Sequence, residues 1–178
     1  IAICNLCVEA GAKTALMEVD DIALHYLHEH GREPKACFAS DADAHFAAVY
    51  DIDLSTITPI VAKPHFVDNV CPAKEAAGVK IDEAFLGSCN NGRIEDLRVG
   101  AELLKGRKVH PLVRFLVVPA SQAVYQQALK EGLLKIFMEA GAIVMNPNCS
   151  VCWGSCQGVI GEGETLISTG TRNFKGRA

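Results

Sequence analysis

The chain has 178 residues, 49% of them hydrophobic, with 17 Lys and Arg against 21 Asp and Glu and a formal net charge of -4. That length and apolar content suffice for a buried core and exclude a disordered chain, and the acidic balance offers no cationic field for nucleic acid or an anionic membrane. No apolar run approaches the roughly 18 to 20 residues that span a bilayer, and the first residues lack the zones of a secretory signal, so a cytoplasmic protein with no membrane or nucleic-acid partner is expected.

Beginning at Ile1-Ala2-Ile3 and ending at Gly176-Arg177-Ala178, the chain reads as a piece of a longer polypeptide. Apolar spacing predicts a helix over 5–10, a strand over 14–18, an amphipathic helix over 20–30, and strands over 49–53 and 57–61. Residues 63–72 hold two prolines and no period, so a linker is expected there. Beyond it the pattern sharpens. A buried strand is predicted over 83–86, a loop over 87–92, and a helix over 93–104 with Ile94, Leu97, Ala101 and Leu104 on one face, closed by Gly106. A strand over 114–118, a helix over 122–131 capped by Ser121, a short helix over 135–140 with Phe137 and Met138 as core, and a strand over 142–145 complete the series. Strands alternating with helices in this way predict an α/β protein whose sheet is largely parallel, in two lobes covering 1–64 and 65–178, sheets flanked by helices.

The eight cysteines fall below the roughly 8 to 10% of a disulfide scaffold, so metal or redox chemistry outranks stapling. Three loops carry the chemistry: Gly87-Ser88-Cys89-Asn90-Asn91-Gly92, Asn148-Cys149-Ser150-Val151-Cys152-Trp153-Gly154, and Arg172-Asn173-Phe174-Lys175-Gly176-Arg177. Cys89 follows a strand and precedes a helix, the end of an open α/β sheet where ligands bind. A Cys-x-x-Cys spacing lets Cys149 and Cys152 reach one metal centre, and a third thiolate from a distant loop ties two segments to it. Three thiolates on a cubane leave one iron free to act as a Lewis acid. The planar forks of Arg172 and Arg177 suit carboxylates, so a small polycarboxylate substrate is expected. A structural zinc site, with Cys156 as a further ligand, or buried inert thiols remain open for the same cysteines. His25, His28 and His30 read as solvated.

The ordered motifs are similar to the aconitase superfamily along nearly the whole chain. They run from Ile3-Cys4-Asn5 and Glu9-Ala10-Gly11 through Pro64-His65, Asp68-Asn69, Gly87-Ser88-Cys89, Asn91-Gly92-Arg93, Val118-Pro119-Ala120-Ser121 and Glu131-Gly132-Leu133 to the Cys149/Cys152 and Arg172/Arg177 loops. The likeness is greatest to the isopropylmalate branch. It implies the second lobe (1–64) and the third, cluster-bearing lobe (65–178) of the iron-sulfur domain, with a 4Fe-4S cluster on Cys89, Cys149 and Cys152. Asn5 and Asn91 would lie beside the cluster, and Glu9 would be the catalytic carboxylate that hydrogen-bonds the water or hydroxyl there. Arg172 and Arg177 would hold substrate carboxylates, and Cys4 and Cys7 would be non-ligands. The implied activity is that of a hydro-lyase large subunit interconverting 2- and 3-isopropylmalate in leucine biosynthesis, with homoaconitase or a dimethylmalate-type dehydratase as alternatives. The family's earlier lobe, with catalytic His and Asp residues, and a small-subunit swivel domain with the serine base would be needed for turnover. Asn90 stands where relatives usually carry Thr, Thr171 stands in place of an Asn, and Gly170 and Trp153 also depart from the pattern. A non-catalytic iron-sulfur sensor or a zinc-stabilised domain are the readings from other classes; the acidic balance argues against an RNA-binding sensor.

Overall fold

The computed structural model describes residues 1–154 and 156–178 and divides the chain into two units, Ile1–Ile57 and Thr58–Ala178. In the first, α1 (Ala2–Leu6) continues into a 3-10 turn, Cys7–Ala10, that ends at Gly11 with φ 86°, a left-handed cap that glycine adopts without strain. Helix α2 (Asp21–Glu29) starts where the Asp20 carboxylate accepts from the backbone N–H of Ala23 at 2.8 Å. A last 3-10 turn, Leu54–Thr56, has Asp53 as its cap. The strands expected over 14–18 and 49–53 are not formed. A short strand-like segment becomes a strand only when a neighbour supplies the ladder, and the first unit contains no strand.

The second unit opens with β1 (Ile60–Ala62) and β2 (Val70–Pro72), paired antiparallel with Val61 opposite Cys71. This pairing moves the boundary between units ahead of residues 64 and 65, and much of the expected linker is the connection between these two strands. Next come β3 (Glu83–Gly87), the one-turn helix α3 (Ser88–Asn91), α4 (Ile94–Leu104), β4 (Arg114–Val118), α5 (Gln122–Lys130), α6 (Leu133–Ala140), β5 (Ile143–Val144) and β6 (Leu166–Ser168). Strands β5, β4, β3 and β6 form, in that order, one parallel sheet. Phe85 lies opposite Leu116, and Leu86 opposite Val117. The protein is of the α/β class, as the alternation predicted, and no helix among the described residues is long and apolar enough to cross a membrane.

Alternation along β3 and β4 sends side chains to both faces. Leu86 and Val117 pack under α4 to α6 with Leu97, Ala101, Ala128, Leu134 and Phe137. Phe85, Leu116 and Val118 meet Met145 and Val151 on the other face, so residues of the Cys-x-x-Cys loop themselves close that core. Phe137 is fully buried, whereas Met138, expected in the core, is exposed; it borders a shallow apolar depression with Tyr125, Leu129 and Leu134. On the second face the buried Glu83 accepts from Arg114 Nε at 2.9 Å, and Arg114 also clamps Glu164 with both terminal nitrogens. Burial pushes the Glu83 carboxyl up while Arg114 pulls it down.

Candidate functional site

Because β3, β5 and β6 run parallel, their carboxyl ends share one edge of the sheet. All three loops singled out in the sequence leave from that edge: Cys89 directly after β3, Cys149 and Cys152 after β5, and Arg172 to Arg177 after β6.

The turn bearing Cys89 is held by backbone contact. A Cβ on Gly87 would stand 2.4 Å from the Val118 carbonyl oxygen, and one on Gly92 2.3 Å from the same oxygen, so only glycine lets α3 back onto the end of β4. The Gly87 N–H donates to the Thr169 hydroxyl at 3.0 Å, joining this turn to the end of β6. Within α3 the neighbours Ser88 and Asn90 are buried while the Cys89 side chain faces outward. Asn90 Nδ2 and Asn91 Oδ1 are buried with no hydrogen-bond partner among the described residues. Buried amide groups without partners are rare and mark a place where a polar group or ion belongs.

Ser150 organises the second loop. It is fully buried at φ 43°, its N–H donates to Asn148 Oδ1 at 2.6 Å, its hydroxyl donates to the Gln157 carbonyl at 2.6 Å, and its carbonyl accepts from the Gly154 N–H at 2.9 Å. With Val151 anchored in the core, the flanking Cys149 and Cys152 are left on the outer side of a pinned turn. Burial pushes the Cys149 thiol up, the nearby thiols of Cys89, Cys152 and Cys156 push it further, and Arg172 opposes them. Mutual repulsion of this kind is the electrostatic mark of sulfurs gathered in one place.

The third loop closes over the second. A Cβ on Gly154 would collide with the Arg177 backbone, 2.0 Å from its carbonyl oxygen, and one on Gly170 would lie 3.9 Å from the Cys152 Cβ. The Arg177 guanidinium donates to the Cys152 carbonyl at 3.4 Å and lies over the rings of Trp153 and Phe174, 5.4 and 5.3 Å from their centroids. Arg172 donates to the hydroxyl of Thr171 at 3.1 Å, so one of the residues that depart from the expected motif touches this arginine. Asn173 fastens the loop: its Nδ2 donates to the carbonyls of Ala62, Lys63 and Phe66 at 2.8 to 3.3 Å. Sequence reasoning marked Asn173 only as part of a motif and gave Ser150 no role, because both act through carbonyls brought near by the fold.

The structure thus gathers Cys89, Asn91, Cys149, Cys152, Arg172 and Arg177 at one sheet edge. Asn5, at the end of α1, and Glu9, in the turn that follows it, lie half-buried in the first unit. Cys4 and Cys7 are half-buried in the same turns. His25 and His28 are exposed and pair with Glu29 and Glu33. Among the described residues no three His, Cys, Asp or Glu groups are drawn together around a single metal ion. A cubane asks for something wider, since each of its cysteines ligates a different iron. Soft thiolates in number three, a neighbouring cationic pair and buried amides without partners fit such a cluster in donor chemistry and in charge.

The sequence model of the aconitase family (aconitate hydratase) matches residues 1–78 and 71–178. The chain is 47% identical over 177 residues to a 3-isopropylmalate dehydratase large subunit of Hydrogenobaculum sp. (strain Y04AAS1), covering 99% of this chain and 42% of that protein. It is 48% identical over 180 residues to the large subunit of the same name from Aquifex aeolicus (strain VF5), again covering 42% of it. A probable 3-isopropylmalate dehydratase large subunit of Methanothermobacter thermautotrophicus is 49% identical over 173 residues, 41% of its length. The chain therefore spans less than half the length of the relatives it matches.

Proposed function

The chain belongs to the aconitase family, and from that membership we propose that it is the cluster-bearing part of a hydro-lyase large subunit acting on isopropylmalate. The observation that carries the proposal is the meeting of three cysteines and two arginines at the carboxyl edge of one parallel sheet. Identity of 47 to 49% to dehydratase large subunits along nearly the whole chain supports the choice of reaction.

In this reading Cys89, Cys149 and Cys152 hold a 4Fe-4S cluster, which supplies a Lewis-acidic iron for the substrate hydroxyl and an adjacent carboxylate. Ser150 fixes the spacing of Cys149 and Cys152, and the glycines at 87 and 92 fix that of Cys89. Asn91, whose buried amide oxygen has no hydrogen-bond partner among the described residues, lies beside the cluster. Arg177, its guanidinium oriented by Trp153 and Phe174, and Arg172, oriented by Thr171, bind the substrate carboxylates and select a small dianionic hydroxy acid over neutral ones. Glu9 gives a proton to the hydroxyl as it leaves as water and takes one back as water adds to the neighbouring carbon, while the base supplied by the small subunit takes and returns the carbon-bound proton. A small-subunit partner and the polypeptide that relatives carry outside this stretch complete the site, so the chain alone is inactive. Homoaconitase or a dimethylmalate-type dehydratase would use the same residues with a different side-chain pocket.

Anaerobic reconstitution with iron and sulfide is expected to give a broad visible absorption that Cys89→Ala abolishes; a colourless protein would overturn the cluster. In the complete assembly, hydration of isopropylmaleate is expected. Hydration of citraconate-like acids alone would replace the substrate while leaving the reaction class.

A further inference from the structure

The loop that carries Cys149 and Cys152 holds a further thiol, Cys156, four positions after Cys152, and the site as described leaves it without a role. Its place is fixed by the residue that organises the whole loop. The Ser150 hydroxyl donates to the Gln157 carbonyl at 2.6 Å, and a Cβ on Gly158 would stand 3.1 Å from the same hydroxyl oxygen. Cys149 directly precedes Ser150 and Cys156 directly precedes Gln157, so this one hydrogen bond lays the two cysteine-bearing segments side by side. The charge of Cys156 is accordingly among those that push the Cys149 thiol up. Cys156 is exposed, as Cys89 and Cys149 are, whereas Cys71 in β2 is packed away from solvent.

A cubane has four irons, and Cys89, Cys149 and Cys152 serve three of them. Without substrate the fourth takes water or a stronger donor within reach. Soft thiolates are the donors that iron-sulfur clusters select, and clusters held at every corner use four of them. A thiol tethered in the same loop competes with water at an effective concentration on the order of millimolar. Because it is not packed into the core, it is free to withdraw when a better ligand arrives.

We infer that Cys156 is the fourth ligand of the cluster when no substrate is bound, capping the iron that the hydroxy acid later occupies. Cys156 gives its proton to solvent as its thiolate replaces water on that iron, and takes a proton back as substrate oxygens displace it; no electron moves in either direction. The inference rests on the three-cysteine cluster reading, and its test separates the two. The chain, Cys156→Ala and Cys37→Ala are reconstituted anaerobically with iron and sulfide, treated with one equivalent of ferricyanide and desalted, and iron and sulfide are counted. Ferricyanide removes one electron from the cluster; an iron with no cysteine ligand then leaves as Fe2+, and one held by Cys156 stays. About four iron per four sulfide are expected in the unaltered protein and in Cys37→Ala, which removes an exposed thiol of the first unit, against about three per four in Cys156→Ala. Alkylation of Cys156 by iodoacetamide, read by mass spectrometry, is expected to be at least tenfold slower in the loaded protein than in the stripped one. Equal iron in the unaltered protein and Cys156→Ala, the same loss in Cys37→Ala, or alkylation of Cys156 at one rate with and without cluster overturns the inference and leaves the three-cysteine cluster standing. Failure of every protein to take up iron and sulfide overturns the cluster reading and the inference with it.

Discussion

The two units of this chain differ in what holds them. Both have helices with sound caps, Asp20 for α2 and Ser121 for α5, and both have apolar residues at helical spacing. Only the second has a sheet, and only the second buries side chains: Phe137, Leu97, Val117 and Val118 are wholly out of solvent. Local signals therefore suffice to start a helix in either unit, but Cys89, Cys149 and Cys152 follow strands whose backbone is backed by a packed core. Val151, between the two loop cysteines, is itself part of that core.

The largest expected effect on this contrast comes from truncation. Phe137→Ala should cost about 3 to 5 kcal/mol in urea unfolding of the second unit, whereas Leu24→Ala, in the half-buried face of α2, should cost less than about 1 kcal/mol. Equal costs would erase the distinction between the units. Next is Arg114→Met. It removes the partner of the buried Glu83 and the clamp on Glu164, and should lower the urea midpoint of the second unit, because the Glu83 carboxylate is left buried without its charged partner. The caps follow. Ser121→Ala should cost about 1 kcal/mol, read as a lower unfolding midpoint, while Asp20→Ala should reduce helical circular dichroism without moving that midpoint. Smallest is the acid limb. Arg114 and the Gly161 N–H hold the Glu164 carboxyl at about 2, below its ordinary 4.5. Its contribution is complete above pH 4.5 and is lost as pH falls toward 2, so Glu164→Gln should flatten the urea midpoint across that window.

What the sequence disclosed divides along the same line. Strand 114–118 and the helices that follow are where periodicity put them, because in the second unit the face that reads as apolar is the face that packs. Segments 14–18 and 49–53 are short and strand-like in composition yet form no strand, since pairing depends on a neighbour that local sequence does not describe. The three-residue β6 escaped notice because it pairs with β3 across a separation of more than 80 residues and is too short to show a period. The cysteines were legible from their position after strands and from the spacing of Cys149 and Cys152. Ser150, Gly154 and Asn173 were not, because a buried hydroxyl, a glycine pressed against Arg177 and an amide reading three carbonyls acquire meaning only when distant segments meet. Met138 shows the converse: a helical position next to a core residue belongs to the other face when the helix lies at the surface.

The central claim, that Cys89, Cys149 and Cys152 hold one cubane cluster at the carboxyl edge of the sheet, is met most directly by counting iron and acid-labile sulfide per chain after anaerobic reconstitution, for the unaltered protein and for Cys89→Ser. The account predicts about four of each per chain, the composition of the cubane, and their loss in Cys89→Ser, which unfolds at the same midpoint as the unaltered protein stripped of iron. One zinc per chain, bound equally well by Cys89→Ser, would contradict it.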